Sequence, residues 1–451
     1  MKDKIFREYD IRGKFPDDIN EEVAYKIGLG YGSFIQEFYN QTTCIVSHDS
    51  RLSSECLNEF LIKGLLETGL NVIDYGLTTS PMNYYARHAN QLFGIMITAS
   101  HNPKDDNGFK FSFDEFTNAR GIMIQDLKTY IDKENFKKGQ GKLEYKSIEE
   151  DYINYVVDHL KFGKKRIKVD LDLANGATSV IARKVFEKVN VDLTIINEES
   201  DGNFPNHHPD PTIEENLEQL KAKVKELNAD IGIGFDGDGD RIGIIDNLGN
   251  MVPIEAYAII ILRNIIDKVK VKKFLYDAKC SDVFKDEIIR LGGTPVICRT
   301  GTSYTQEKVL KENITFGIQY VGHISLNDRL FSTESAMYSS LRLIEVLSKT
   351  DRTLNELVNT VPKYFNTPEL KFASNDDKKH EVILNIKNYC DEKNYKYIEI
   401  DGLKVLFKDS WAYVRASNTG PNITLRCESK NEENLDNLVK LFTTLIDIYN
   451  K

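Results

Sequence analysis

Asp230-Ile-Gly-Ile-Gly234-Phe-Asp236-Gly-Asp238-Gly-Asp240-Arg241 is the stretch on which the reading of this 451-residue chain turns. Asp230 to Gly234 reads as a strand. Directly after it, Asp236, Asp238 and Asp240 stand at alternate positions separated by glycines. Glycine lets the backbone turn tightly, so three such side chains can converge on one cation. Ligands that are all oxygen point to Mg²⁺ or another hard ion. A calcium hand also begins with aspartates at alternate positions. Here Arg241 stands at the sixth loop position, where glycine is required, and Asn247 at the twelfth, where glutamate is required. A calcium hand is therefore disfavoured.

Outward from this loop, strand-like and helix-like segments alternate in three rounds. The first has strands near Thr43–Val46, Asn71–Tyr75 and Gly94–Thr98, with helical spacing over Ser54–Glu67 and Pro81–Ala89. The second runs from the strand Arg166–Asp172 through a helix over Ser179–Val189 to the loop above. The third starts at Lys273–Tyr276, with Val283–Leu291 as its helix. This is the βαβ rhythm of a parallel or mixed sheet. The C-terminal part changes character. Strands near Tyr397–Ile400, Leu403–Phe407, Trp411–Arg415 and Ile423–Arg426 follow one another, and a final helix carries Leu435, Leu438, Phe442, Leu445 and Ile446 on one stripe. The fold class predicted is α/β, three similar mixed-sheet domains, with an α+β domain at the C-terminus. The expected spans are 1–145, 146–250, 251–366 and 367–451. Charged, mixed stretches around Lys133–Lys146 and Lys363–Lys371 mark two of the boundaries.

Composition bounds the function. The net charge is −10 and 41% of residues are hydrophobic. A chain of that charge does not present nucleic acid or anionic lipid with a generally basic surface, and neither is expected as a partner. The start has no apolar run resembling a signal peptide. The block Ala256–Leu262 is far short of the ~20 residues a membrane span needs. Six scattered cysteines, without a CxxC pair, disfavour disulfide or zinc frameworks and fit a reducing cytoplasm.

Three further segments can carry chemistry. Thr98-Ala-Ser100-His101-Asn-Pro103 follows a strand, which places Ser100 where α/β sheets hold their ligands. A serine beside a metal can carry a phosphoryl group, with His101 placed to assist. The same residues also make an ordinary Ser/Asn/Pro turn. Lys110 adds a cation a little further on. Arg415-Ala-Ser417-Asn418-Thr419-Gly-Pro421, followed by Arg426, offers a guanidinium, hydroxyls and turn amides suited to phosphate, or else a plain turn between strands. Phe6-Arg-Glu-Tyr9-Asp-Ile-Arg12-Gly13 is weaker and is consistent with a structural turn.

Taken in order, these segments resemble the α-D-phosphohexomutase superfamily, from Phe6 to the final helix. The phosphomannomutase/phosphoglucomutase branch is nearest, supported by Asp201-Gly-Asn-Phe-Pro-Asn-His-His-Pro-Asp-Pro211. The resemblance implies four domains around a central cleft, each giving one loop. It implies a phosphoserine, matching Ser100, that donates its phosphoryl group to a hexose phosphate. The 1,6-bisphosphosugar then turns around and returns the other phosphate. Mg²⁺ would be held by Asp236, Asp238 and Asp240 and touch Ser100. Arg12, His101, Lys110 and Arg241 are matched beside the phosphoserine, with the general acid or base undecided among them. Arg415, Ser417, Asn418 and Thr419 match the loop that grips the non-reacting phosphate. Tyr9, Lys279, Gln319 and His323 match further positions facing the substrate. No obligate protein partner is implied.

The chain departs from that pattern in the sugar-reading loop. The usual Gly-Glu-x-Ser-Gly-His is replaced by Ile318-Gln319-Tyr320-Val321-Gly322-His323. An amide stands for a carboxylate and an isopropyl group for a hydroxyl, which can make no hydrogen bond. An unpaired sugar hydroxyl in a closed site costs ~1–3 kcal/mol. Thr302 stands where the branch often has histidine, and Thr333-Glu334-Ser335 replaces an Asp-Asp-Gly-like stretch. The expectation is retained phosphoryl chemistry with the sugar altered or less strictly read. The alternatives are a phosphatase or phosphotransferase using the same serine, and a sugar-phosphate-binding protein with little turnover.

Overall fold

The computed structural model describes residues 1–331, 334–375, 377–417 and 420–451. The strands form four sheets in chain order. The first has six strands, ordered Ile11–Lys14, Asp106–Phe111, Phe93–Ile97, Thr43–His48, Asn71–Leu77 and Leu143–Tyr145. Phe93–Ile97, Thr43–His48, Asn71–Leu77 and Leu143–Tyr145 pair in parallel, while Asp106–Phe111 runs antiparallel to both its neighbours. The second sheet is ordered Ile242–Asp246, Ile231–Phe235, Ile167–Asp172 and Val191–Ile196. The third is ordered Thr294–Cys298, Lys273–Asp277, Phe316–Ile318 and Ile324–Leu326. Each of these two is parallel except for a hairpin partner at one edge. The fourth sheet is antiparallel throughout.

Parallel strands need crossover helices, and the burial pattern follows from that. Strands Ile231–Phe235 and Ile242–Asp246 are buried at every position. The helices Glu21–Phe38 and Ser54–Glu67 touch backbone to backbone. A Cβ on Gly28 would fall 2.3 Å from the Leu61 carbonyl oxygen, and one on Gly64 would fall 2.2 Å from that of Tyr25. Any side chain at either position would push the two helices apart.

The cores of the second and third sheets are continuous, from Ile167 and Val169 to Phe274 and Phe316. Ile45, Met82 and Ala86 of the first unit join the same cluster. The C-terminal unit has its own core around Val405, Leu425 and Phe442. It meets the third unit through a small cluster of Ala278, Trp411 and Tyr413. Among the described residues, no helix is long and apolar enough to cross a membrane.

One expectation differs from the structure. The helix expected over Ser179–Val189 is broken into a 3₁₀ turn at Ala177–Val180 and a short helix at Ala182–Phe186. Ser179 Oγ donates back to the Gly176 carbonyl, and the β-branched pair Val180-Ile181 favours the break. The charged stretch near Lys363–Lys371, expected as a boundary, carries two short strands. Phe365–Asn366 and Leu370–Ala373 both pair with Asn422–Ser429 in the fourth sheet.

Candidate active site

Strand Phe93–Ile97 runs directly into the loop that carries Ser100. Ser100 has φ +51°, a left-handed conformation that a non-glycine residue adopts only where its surroundings enforce it. The enforcing contacts are visible. Its N–H donates to Thr98 Oγ1 at 2.8 Å, and its carbonyl accepts from Arg51 Nη2 at 2.7 Å. Arg51 is fully buried, and its fork also donates to the carbonyls of Asn102, Pro103 and Asp106 and to Asp49. One rigid guanidinium therefore fixes both limbs of the loop.

The aspartate loop docks on this serine. A Cβ at Gly237 would lie 2.6 Å from the Ser100 carbonyl oxygen, so only glycine allows the approach. Gly239 has φ +77° and turns the chain so that Asp238 and Asp240 face the same point. Ser100 Oγ donates to Asp236 Oδ2 at 2.9 Å and lies 3.2 Å from His101 Nδ1. The other Asp236 oxygen accepts the N–H groups of Asp240 and Arg241, both at 3.0 Å. Asp238 Oδ2 accepts from Ser80, Thr98 and Lys110, and Lys110 also reaches Asp240 Oδ2 at 3.0 Å.

Two oxygens remain. Asp238 Oδ1 and Asp240 Oδ1 are buried and accept no hydrogen bond. Each of the three aspartates offers one oxygen within 4.8 Å of the others. Unpartnered buried carboxylate oxygens are costly unless a cation meets them. This donor set fits a hard divalent cation.

The charges around it are sharply divided. Burial, then the charges of Asp240 and Asp238, push Asp236 well above the usual carboxylate range. Burial opposes ionisation of Asp238, but Lys110 outweighs it and holds that carboxyl low. Burial alone would lower Lys110, yet Asp238 and Asp240 keep it well above the ordinary lysine value. Burial and the neighbouring Arg241 and Arg12 hold His101 well below the usual histidine range. His323 is pushed down to about 4 by burial. Its Nε2 accepts from Arg241 Nε at 3.1 Å, leaving Nδ1 to donate to the Asp240 carbonyl at 3.2 Å.

These loops open on a cleft of about 760 Å³ to which all four units contribute. On the third- and fourth-unit walls stand Lys279, Arg415, Ser417 and Lys371, with one acid, Glu369. Lys279 Nζ is 3.6 Å from Glu369 Oε2, and burial lowers its pKa. Arg415 pairs with Asp401 at 2.9 Å. The Ser417 N–H closes its turn onto the Asn422 carbonyl, and Lys379 ties the Ser417 carbonyl at 2.8 Å. Tyr9 donates to the Thr300 carbonyl at 3.0 Å, joining first and third units. Gln319 and His323 stand at either end of a tight turn, with the Gln319 N–H donating to the His323 carbonyl.

Consecutive parts of the chain match four family models. They are phosphoglucomutase/phosphomannomutase alpha/beta/alpha domain I over residues 3–138, domain II over 150–249, domain III over 255–365 and the C-terminal domain over 365–444. The chain belongs to the phosphoglucomutase/phosphomannomutase family. A phosphomannomutase/phosphoglucomutase of Pseudomonas putida is 37% identical over 449 residues, covering 98% of this chain and 96% of that one. A phosphoglucomutase of Neisseria meningitidis is 32% identical, again over 98% of this chain and 96% of its own. A solved phosphoglucomutase/phosphomannomutase family structure from Burkholderia thailandensis superposes with a TM-score of 0.92. It shares 28% identity and covers 100% of this chain and 98% of that one.

Of the residues singled out in the sequence, most reach the family's cleft. Tyr9, Arg12, Ser100, His101, Lys110, Asp240, Arg241, Lys279, Gln319, His323, Arg415 and Ser417 line it. Asp236 and Asp238 lie fully buried behind Ser100. Arg12 is already engaged, donating to the Ala99 carbonyl and Asn102 and pairing with Asp10 at 2.6 Å. Asn418, Thr419 and Thr333 lie outside the described residues. Arg51 and Glu369 escaped the sequence reading. Arg51 had a signal, since Asp49-Ser-Arg51 follows a strand end, but nothing marked it as the partner of Ser100. Glu334, read as part of a lost acidic stretch, is completely buried, and its Oε1 accepts from Gln319 Nε2 at 2.7 Å. Burial, then the charge of Asp240, pushes its carboxyl up to about 8.

Proposed function

We propose that this chain transfers a phosphoryl group reversibly between C1 and C6 of a hexose phosphate, glucose or mannose phosphate, with Ser100 as the carrier. The observation that carries this reading is the Ser100 hydroxyl, held 2.9 Å from Asp236 and 3.2 Å from His101 at the wall of the cleft. The Pseudomonas putida relative, a phosphomannomutase/phosphoglucomutase, supports the same substrates.

In the first half-reaction a sugar hydroxyl attacks the phosphorus on Ser100. The P–O bond to Ser100 breaks as the P–O bond to the sugar forms. One proton moves in the step: it leaves the attacking sugar hydroxyl and ends on Ser100 Oγ, whose restored hydroxyl is held by Asp236 and His101. His101 is neutral for the reason above and can accept a proton. Lys110 stays charged and offsets negative charge beside the carboxylates. Arg12 and Arg241 add fixed positive charge. The bisphosphosugar then turns, and its other phosphate returns to Ser100. Lys279, Arg415 and Ser417, with Asn418 and Thr419, hold whichever phosphate is not reacting. Asp236, Asp238 and Asp240 would hold Mg²⁺. When bound, Mg²⁺ supplies charge that stabilises the transferring phosphoryl group.

The test is a phosphorus NMR time course with Mg²⁺, trace bisphosphosugar and the 1-phosphates of glucose, mannose, glucosamine and ribose. Appearance of glucose or mannose 6-phosphate is expected. Accumulation of inorganic phosphate instead would indicate a phosphatase. No turnover of any of the four would overturn the mutase reading.

A further inference from the structure

Gln319 lines the cleft, and which end of its amide faces the sugar decides what it can do there. A carbonyl oxygen accepts from sugar hydroxyls, whereas an NH₂ group donates to them. Two contacts fix the orientation. Nε2 donates to Glu334 Oε1 at 2.7 Å, behind the loop and away from solvent. The Gly301 N–H, which can only donate, lies 3.4 Å from Gln319 Oε1. The carbonyl end is therefore the one turned towards Gly301, which itself lines the cleft. The assignment does not depend on the proton of Glu334. A carboxyl group accepts through one oxygen whether neutral or ionised.

We propose that Glu334 is a positioning residue for sugar recognition, pinning the Gln319 amide so that its oxygen serves as the acceptor in the cleft. Glu334 does not itself line the cleft; its Oε1 meets Gln319, and its Oε2 lies 3.8 Å from His323 Nδ1. The pair makes one carboxyl and one amide do the work that a single carboxylate at position 319 would do. Where Glu334 is ionised, position 319 cannot revert to glutamate alone. Two carboxyl groups would meet where a 2.7 Å hydrogen bond now stands, and one would have to take up a proton or move apart. This inference rests on the reading that Gln319 faces the sugar.

The experiment is an exchange of the pair. Glu334→Met, Glu334→Gln, Gln319→Glu and the double variant Gln319→Glu/Glu334→Gln are compared with the parent. The readouts are the Kd for glucose 1-phosphate by calorimetry, kcat and KM, and the Kd for inorganic phosphate. Glu334→Met leaves the amide free to flip, and affinity for glucose 1-phosphate is expected to fall about tenfold. Glu334→Gln keeps an acceptor and should lose less. Above about pH 9, where Glu334 is ionised, Gln319→Glu alone should lose at least as much as Glu334→Met. The double variant should recover to within about threefold of the parent, because the amide introduced at position 334 can donate to the carboxylate introduced at position 319.

Inorganic phosphate should bind all variants alike, since its ligands are elsewhere; a merely structural role would weaken both ligands together. Should Glu334→Met fail to fold, the single and double exchanges still decide. Gln319→Glu matching the parent above about pH 9, or the double variant being no better than the single there, would overturn the proposal. A parent that binds glucose 1-phosphate without isomerising it would count against the mutase reading alone, leaving the affinities to judge the pair.

Discussion

Ser100 Oγ and Asp236 Oδ2 lie 2.9 Å apart although 136 residues separate them in the chain. The contact joins the end of a strand in the first sheet to the end of a strand in the second. Gly237 makes it possible, because any side chain there would strike the Ser100 carbonyl. The loops that meet at Ser100 are thus matched in backbone as well as in chemistry.

Replacing Ser100 by alanine removes the proposed carrier. Mutase turnover should fall by more than about 10³-fold, the scale on which losing a nucleophile is felt. The serine hydroxyl is a donor to Asp236 and bears none of the core, so far-UV circular dichroism should stay near the parent's. Retained turnover in a coupled assay of glucose 6-phosphate formation would show that another group carries the phosphoryl.

Asp238→Asn tests the cation site. The substitution removes one negative charge and leaves Lys110 paired with Asp240 alone. The Mg²⁺ concentration giving half-maximal activity should rise about tenfold or more. An unchanged Mg²⁺ dependence would remove Asp238 from the metal site.

Much of this architecture was legible in the sequence, and the reasons are local. Buried strands such as Ile231–Phe235 announce themselves by apolar runs, and the alternating aspartates after it have few structural uses. What escaped was long-range pairing. Arg51 shares the Ser100 loop only because the strands Thr43–His48 and Phe93–Ile97 are neighbours in the sheet. Glu334 reaches Gln319 across a turn and a strand that no spacing rule connects. The broken helix after Gly176 escaped for the opposite reason. Its apolar periodicity is helical, but Ser179 and the β-branched pair beside it favour a local turn.

Arg51→Lys should separate positioning from charge. Lysine keeps the positive charge but cannot span Asp49 and the carbonyls of Ser100, Asn102, Pro103 and Asp106 together. Buried carbonyls would be left unpartnered, so the fold should lose about 2 kcal/mol or more. The left-handed Ser100 loses its anchor at the same time. In steady-state assays kcat should fall about tenfold or more while KM for the sugar phosphate changes less. Loss confined to KM would mean that Arg51 serves substrate binding instead.

His207 carries a pH dependence that lies outside the cleft chemistry. Its Nε2 is 3.0 Å from Asp172 Oδ2 and its Nδ1 is 3.0 Å from the His208 carbonyl, so both ring nitrogens face acceptors. That arrangement favours the doubly protonated ring. Burial pulls the other way, but the hydrogen bond and charge of Asp172 win, and the pKa rises above the ordinary 6.5. A raised folded-state pKa contributes stability that is fully present below the unfolded value and is lost as pH climbs through the folded one. Urea midpoints of the parent and of His207→Gln should therefore differ most near about pH 6 and converge towards about pH 8.5. A gap that stays constant over that range would mean the ring binds Asp172 as a neutral donor. A gap that widens with pH would mean that burial, and not Asp172, governs this histidine.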